Sequence, residues 1–231
     1  MTTDRTFTRT LGRLEVTVER TECVVRCASA RTLITPANET LVGTELPYFP
    51  RGGPCPPPLP RELAGRADAW GALETGPGFV FPAQAVDGVV GVYGGKALRE
   101  ACARLPLNAS GERCGVGRAV ATDAPGALRF DAVVHAVGPF WAADRWADEL
   151  RSTYLSALRC ADALGAGSFD VATPLLGSGA RGAPVADAAA VAADAAVAAA
   201  GELRGPARLV FGVVDPDAFG ALRDAFDALP S

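Results

Sequence analysis

The sequence predicts an α/β domain, with a parallel or mixed sheet covered by helices on both faces, on three observations. Apolar stretches of strand length alternate with longer segments of helical periodicity along most of the chain. One strand candidate, DAVVHAV, is rich in the β-branched residues that sheets bury on both faces. A long helical candidate places Leu150, Tyr154, Leu158, Ala161 and Leu164 along one face before Gly165 offers a stop. With 231 residues, 49% of them hydrophobic, the chain can bury one sizeable core, so a single domain over 1–231 is expected.

Taken in order, LEVTVER alternates Leu14, Val16 and Val18 with polar residues and reads as a half-exposed strand. RTLIT, 31–35, is a short apolar run that ends at Pro36. Between Pro47 and Pro60, seven of fourteen residues are proline and two are glycine, which excludes helix and central strand because proline fixes φ and lacks an NH. An irregular insertion over about 43–83 is expected, with one short helix in ELAGRADAWGAL and one extended piece in FVFP. Its PPP favours an extended polyproline form suited to binding a protein, or makes only a loop.

From Val86 the chain becomes helical toward Ala97, Ala101 and Leu105, while Gly88, Gly91, Gly94 and Gly95 crowd the beginning. Each glycine weakens a helix by about 1 kcal/mol against alanine, so something should come close to that backbone. RAVAT and DAVVHAV then read as strands, followed by the helix that stops at Gly165. SFDVATPLL is the next strand, GSGARG the next turn, and an Ala-rich segment the next helix. That helix has 11 alanines among residues 186–200, which permits close packing, and Asp187 and Asp194 argue against a membrane span. ARLVFGVV is the last strand, after which Asp215 caps a helix starting at Pro216 with Phe219, Leu222, Phe226 and Leu229 inward.

Composition narrows the function. With 22 Lys and Arg against 26 Asp and Glu, the net charge of −4 supplies no overall attraction to nucleic acid or anionic membrane. The single histidine, His135, excludes a zinc site that needs two imidazoles, and no metal or other cofactor is expected. Six cysteines without CxxC spacing read as reduced thiols, and Cys23, Cys27, Cys102 and Cys114 as small core residues, since no His or basic cluster adjoins them in sequence. The opening MTTDRTFTRT holds no apolar run, so a soluble chain, cytoplasmic or nuclear, is expected.

The most informative turn is Gly177, Ser178, Gly179, Ala180, Arg181 and Gly182, between a strand and a helix. Glycines there admit positive φ and let backbone NH groups and a helix start meet an anion, although a merely tight turn reads the same way. It also spells GxGxxG, but too late in the chain for a dinucleotide fold to follow, and Glu202, twenty residues on, still lies in the Ala-rich helix. Asn38 ends a strand where open sheets place ligands, or serves as a turn residue. Asp87 is a base, a ribose ligand or a helix cap. His135 reads as a buried, hydrogen-bonded histidine.

In this order TLITPAN, AVDGVV with GGKALREAC, CGVGRAVAT, DAVVHAVGP and ATPLLGSGARGAP resemble the macro domain, the ADP-ribose-binding module, from about Leu14 to Leu229 without the insertion. The resemblance implies a three-layer α/β/α sandwich around a mixed sheet, with ADP-ribose in a crevice at the carboxyl end of the strands. It implies that Asn38 contacts the distal ribose, that Asp87 orients or activates a water near the anomeric carbon, and that residues 177–182 hold the diphosphate through backbone NH groups. Glu22 falls near the family's adenine-binding aspartate, and Val214 about where an aromatic would stack on adenine. The implied partner is ADP-ribose or an ADP-ribosylated protein or small molecule, with hydrolysis of the ADP-ribosyl bond as the activity and a catalytically silent reader as the alternative.

The departures bear on catalysis more than on fold. Thr35 and Pro36 replace the asparagine and alanine that usually precede the ribose-contacting asparagine, and Gly91 stands where a histidine often follows. FVFPAQA replaces the glycine run expected before VDG, and Arg181 the aromatic that hydrolase members often place over the distal ribose.

Overall fold

A computed structural model describes residues 5–41, 86–179, 181–203 and 205–230. The insertion expected over 43–83, with its short helix and its extended piece, lies outside the described residues, as does Ala180. The elements are β1 Thr6–Leu11, β2 Leu14–Arg20, α1 Val24–Cys27, β3 Thr32–Pro36, α2 Val86–Ala103, β4 Arg118–Asp123, β5 Ala132–Val137, α3 Trp146–Leu164, β6 Phe169–Thr173, α4 Val185–Glu202, β7 Ala207–Val213 and α5 Pro216–Asp227.

The seven described strands form one mixed sheet in the order β1-β2-β7-β6-β3-β5-β4. β2, β7, β6, β3 and β5 run parallel, and β1 and β4 close the two edges antiparallel. Because strand side chains alternate between faces, neighbouring residues belong to different cores. Ile34, Val134 and Val171 pack with α3, α4 and α5, whereas Leu33, Val133 and Ala172 pack with α1 and α2. The result is the expected three-layer α/β/α sandwich around a mixed sheet. Among the described residues, no helix is long and apolar enough to cross a membrane.

Most expected elements are found. Buried Ala188, Ala192, Ala195 and Ala199 let α4 pack between α3 and α5, and Asp215 caps α5 by accepting from the Asp217 NH at 2.9 Å. Phe219, Leu222 and Phe226 are buried as the helical spacing requires. Two elements have no counterpart in the sequence reading: the edge strand β1, whose apolar contribution is only Phe7 and Leu11, and the single turn α1.

The glycine-rich start at Val86 is itself helical, where helix was expected only toward the end, and the break comes at Gly95, whose φ is 58°. The close approach expected there comes from the β4–β5 loop. The Ala127 NH donates to the Tyr93 carbonyl at 2.7 Å, and a Cβ on Gly126 would lie 2.5 Å from that same oxygen.

Candidate functional site

Five parallel strands deliver their carboxyl ends to one edge of the sheet, and all but one of the described candidate residues follow them directly. β2 and β7 are neighbours with Arg20 opposite Val213, and the Thr21 NH donates to the Val213 carbonyl at 2.9 Å. This register brings Glu22 and Val214 together, although they are far apart in sequence. Both are exposed.

β6, next to β7, runs into residues 174–184. Gly177 and Gly182 have φ of 87° and 83°, the left-handed region that glycine tolerates best. The turn is closed from within: the Gly182 NH donates to the Gly179 carbonyl and the Ala183 NH to the Gly177 carbonyl, both at 3.0 Å. The Ser178 hydroxyl donates to the Leu175 carbonyl at 3.1 Å. The Gly182 NH is therefore used inside the turn. Gly179 is exposed, has no left-handed φ and has open space where a side chain would stand.

β3, beyond β6, carries Asn38 two residues past its end. Asn38 is 8% exposed, and its carboxamide oxygen accepts from the Thr40 hydroxyl at 3.0 Å, which fixes the orientation of the amide. Asp87 is the candidate that does not follow a strand. It sits half-buried in the first turn of α2, which packs against β3, and a carboxylate there is favoured by the helix dipole.

Arg181 ties these loops together. Its guanidinium lies 4.2 Å from the centre of the Phe140 ring, and its Nη2 donates to the Ala37 carbonyl at 3.3 Å and faces Glu39 Oε2 at 3.5 Å. Its own carbonyl accepts from the Trp141 NH at 2.8 Å. Phe140, Trp141 and Glu39 were not singled out from the sequence; the available signal was the aromatic pair after Gly138-Pro139 at the end of a buried strand.

Cys102, Cys114, Cys160 and His135 behave as structural residues. His135 is buried, with Nε2 3.0 Å from the Thr122 hydroxyl and 3.7 Å from the Cys102 sulfur, and burial pushes its pKa down to about 4. Burial pushes the Cys114 thiol up to about 11 and raises that of Cys160, which suits neither as a nucleophile.

Residues 78–192 match the family model of the Macro domain. The chain is 40% identical over 111 residues to an O-acetyl-ADP-ribose deacetylase of Enterobacter sp. (strain 638), covering 47% of this chain and 59% of that protein. It is also 40% identical over 109 residues to a macro domain-containing protein of Streptomyces griseus, covering 46% and 59%. The chain thus spans about three fifths of the length of these curated relatives. Among solved structures, the Oceanobacillus iheyensis macrodomain with ADP is similar at a TM-score of 0.69 and 18% identity, over 96% of this chain and 95% of that one. The Trypanosoma brucei macrodomain in complex with ADP-ribose is similar at 0.62 and 20% identity, over 90% and 68%. At such identities the structures speak for the fold alone, while the family model and the relatives identify residues 78–192 of the chain as a Macro domain.

Proposed function

We propose that the crevice along the strand ends binds ADP-ribose, or the ADP-ribosyl group of a modified protein or small molecule, and that the chain hydrolyses the bond joining that group to its acceptor. The observation that carries this reading is the order imposed by the sheet: Glu22 and Val214 at β2 and β7, the 177–182 turn at β6, and Asn38 at β3. At the usual strand spacing these ends cover about 14 Å, room for a nucleoside at one end, a diphosphate in the middle and a second ribose at the other. The deacetylase name of one relative and the ADP and ADP-ribose complexes of the structural neighbours support the same ligand.

In this reading Asp87, in the first turn of α2, takes a proton from water as the water oxygen bonds to the anomeric or acyl carbon. The bond from that carbon to its leaving oxygen, the acceptor's at the anomeric carbon or the ribose's at the acyl carbon, breaks, and that oxygen recovers a proton from solvent or with help from the ligand's diphosphate. Asn38, oriented by Thr40, holds the ribose against this attack. No cofactor is invoked.

A second reading, a catalytically silent reader, is favoured by the cation that Arg181 sets beside the loop carrying Asn38. Calorimetry against ADP-ribose, ADP, AMP and NAD, beside turnover of O-acetyl-ADP-ribose and an ADP-ribosylated protein, separates the two. ADP-ribose should bind at least about tenfold more tightly than AMP, a difference of about 1.4 kcal/mol. Equal affinities would remove the distal-ribose role, and binding without turnover would leave the reader.

A further inference from the structure

Arg181 is a long cation on a turn otherwise built of glycine, serine and alanine. Its side chain is only 12% exposed, so it is folded down onto the site instead of extending into solvent. Among its contacts are Phe140, after β5, and Ala37 and Glu39, after β3. Ala37 immediately precedes Asn38. The guanidinium therefore lies where the anion-binding turn meets the candidate ribose-binding loop.

The contacts differ in quality. The ring of Phe140 fixes the plane of the guanidinium without consuming its NH donors. Glu39 supplies the compensating charge at 3.5 Å, well beyond the roughly 2.7–2.9 Å of a strong charge-assisted hydrogen bond. A diphosphate arriving at the same turn offers more negative charge and oxygens that a guanidinium binds as a fork.

Resting on the ADP-ribose reading above, we propose that Arg181 is the charge-selecting residue of this site. Glu39 holds it before the ligand arrives, and it is handed to the ligand's diphosphate on binding while its plane stays on Phe140. Glu39 is then an internal competitor of the ligand. The site selects ligands that carry a diphosphate over those with a single phosphate monoester.

The test uses the full chain, ADP-ribose as the probe, and calorimetry at low and high salt. Arg181→Gln should weaken ADP-ribose about tenfold or more and flatten the salt dependence, as expected for the loss of a phosphate-facing cation. Glu39→Gln should tighten binding severalfold although it removes a partner of the clasp and lowers or leaves unchanged the melting temperature. A purely structural clasp would make both variants bind more weakly. The double variant should match Arg181→Gln, because the effect of Glu39 runs through the cation. Glu39→Gln binding no more tightly than the parent overturns the exchange. The same gain from Glu39→Gln in the Arg181→Gln background also overturns it, leaving simple repulsion between Glu39 and the ligand. Should Arg181→Gln not fold, Arg181→Lys, with the charge but not the planar fork, should bind between parent and loss, and parent-like affinity would overturn the proposal. A parent that binds no ADP-ribose overturns the site reading itself, whereas a binding parent with an unresponsive Glu39→Gln overturns only the exchange.

Discussion

The backbone NH of Leu176 donates a 2.8 Å hydrogen bond to the phenol oxygen of Tyr154, a side chain buried on α3. Leu176 immediately precedes Gly177, so the turn that begins there hangs from the helical core as well as from the end of β6. The Tyr154 ring is 6.3 Å from Phe211 of β7, which is 5.7 Å from Phe226 of α5, and these aromatic contacts hold the acceptor in place. Burial pushes the phenol far above its ordinary range, so it stays neutral.

Tyr154→Phe should leave the Leu176 NH buried without that acceptor, at a cost of about 1–3 kcal/mol. A thermal melt should register the loss. With the turn holding the diphosphate as proposed, ADP-ribose affinity should fall severalfold while AMP affinity changes less. Unchanged affinities beside a lowered melting temperature would confine Tyr154 to the core.

Gly179→Glu should fold, since the position is exposed, with open space and no left-handed φ. ADP-ribose binding should drop below detection, because both bulk and charge oppose a diphosphate there. Circular dichroism and a melt read beside calorimetry check both halves. A folded variant that binds like the parent would sink the cradle role.

Asp87→Ala should lower turnover by about two to four orders of magnitude, the range for loss of a positioned acid or base. Affinity should change less. A rate equal to the parent's would return Asp87 to the role of a first-turn carboxylate that stabilises α2.

His135 makes stability pH-dependent. Its folded pKa of about 4 lies below the ordinary value of 6.5, so the unfolded chain takes up the proton first as pH falls. Its contribution is therefore fully present above about pH 6.5 and is lost progressively down to about pH 4, amounting to about 2 kcal/mol between pH 7 and pH 5. Chemical denaturation of the parent and of His135→Gln at both pH values measures it. A variant as pH-sensitive as the parent would show that other groups carry the effect.

What was legible in the sequence followed from local physics. The alternation in LEVTVER, the apolar run of DAVVHAV, the capping by Asp215 and Pro216, and the glycines at 177 and 182 each express a preference of a few adjacent residues, and each was found in place. The edge strand β1 was missed because it has little apolar material of its own and is stabilised by pairing with the buried β2. The glycine-rich start of α2 was underestimated as helix because propensity counts each glycine as a loss, whereas packing against β3 offsets it. Residues 43–83 could be read only by composition.

Tertiary structure alone decided which of these pieces meet. No local preference places Glu22 beside Val214; that follows from inserting β7 and β6 between β2 and β3, a choice made by burying both faces of the sheet at once. The Leu176 to Tyr154 hydrogen bond and the seating of Arg181 on Phe140 with Glu39 depend in the same way on helices and loops brought together from distant parts of the chain. Such contacts form only after long-range loop closure has been met by burial of the whole core. The sequence by itself therefore determined most of the elements and the glycine turn, and the packing of the sheet determined the candidate site.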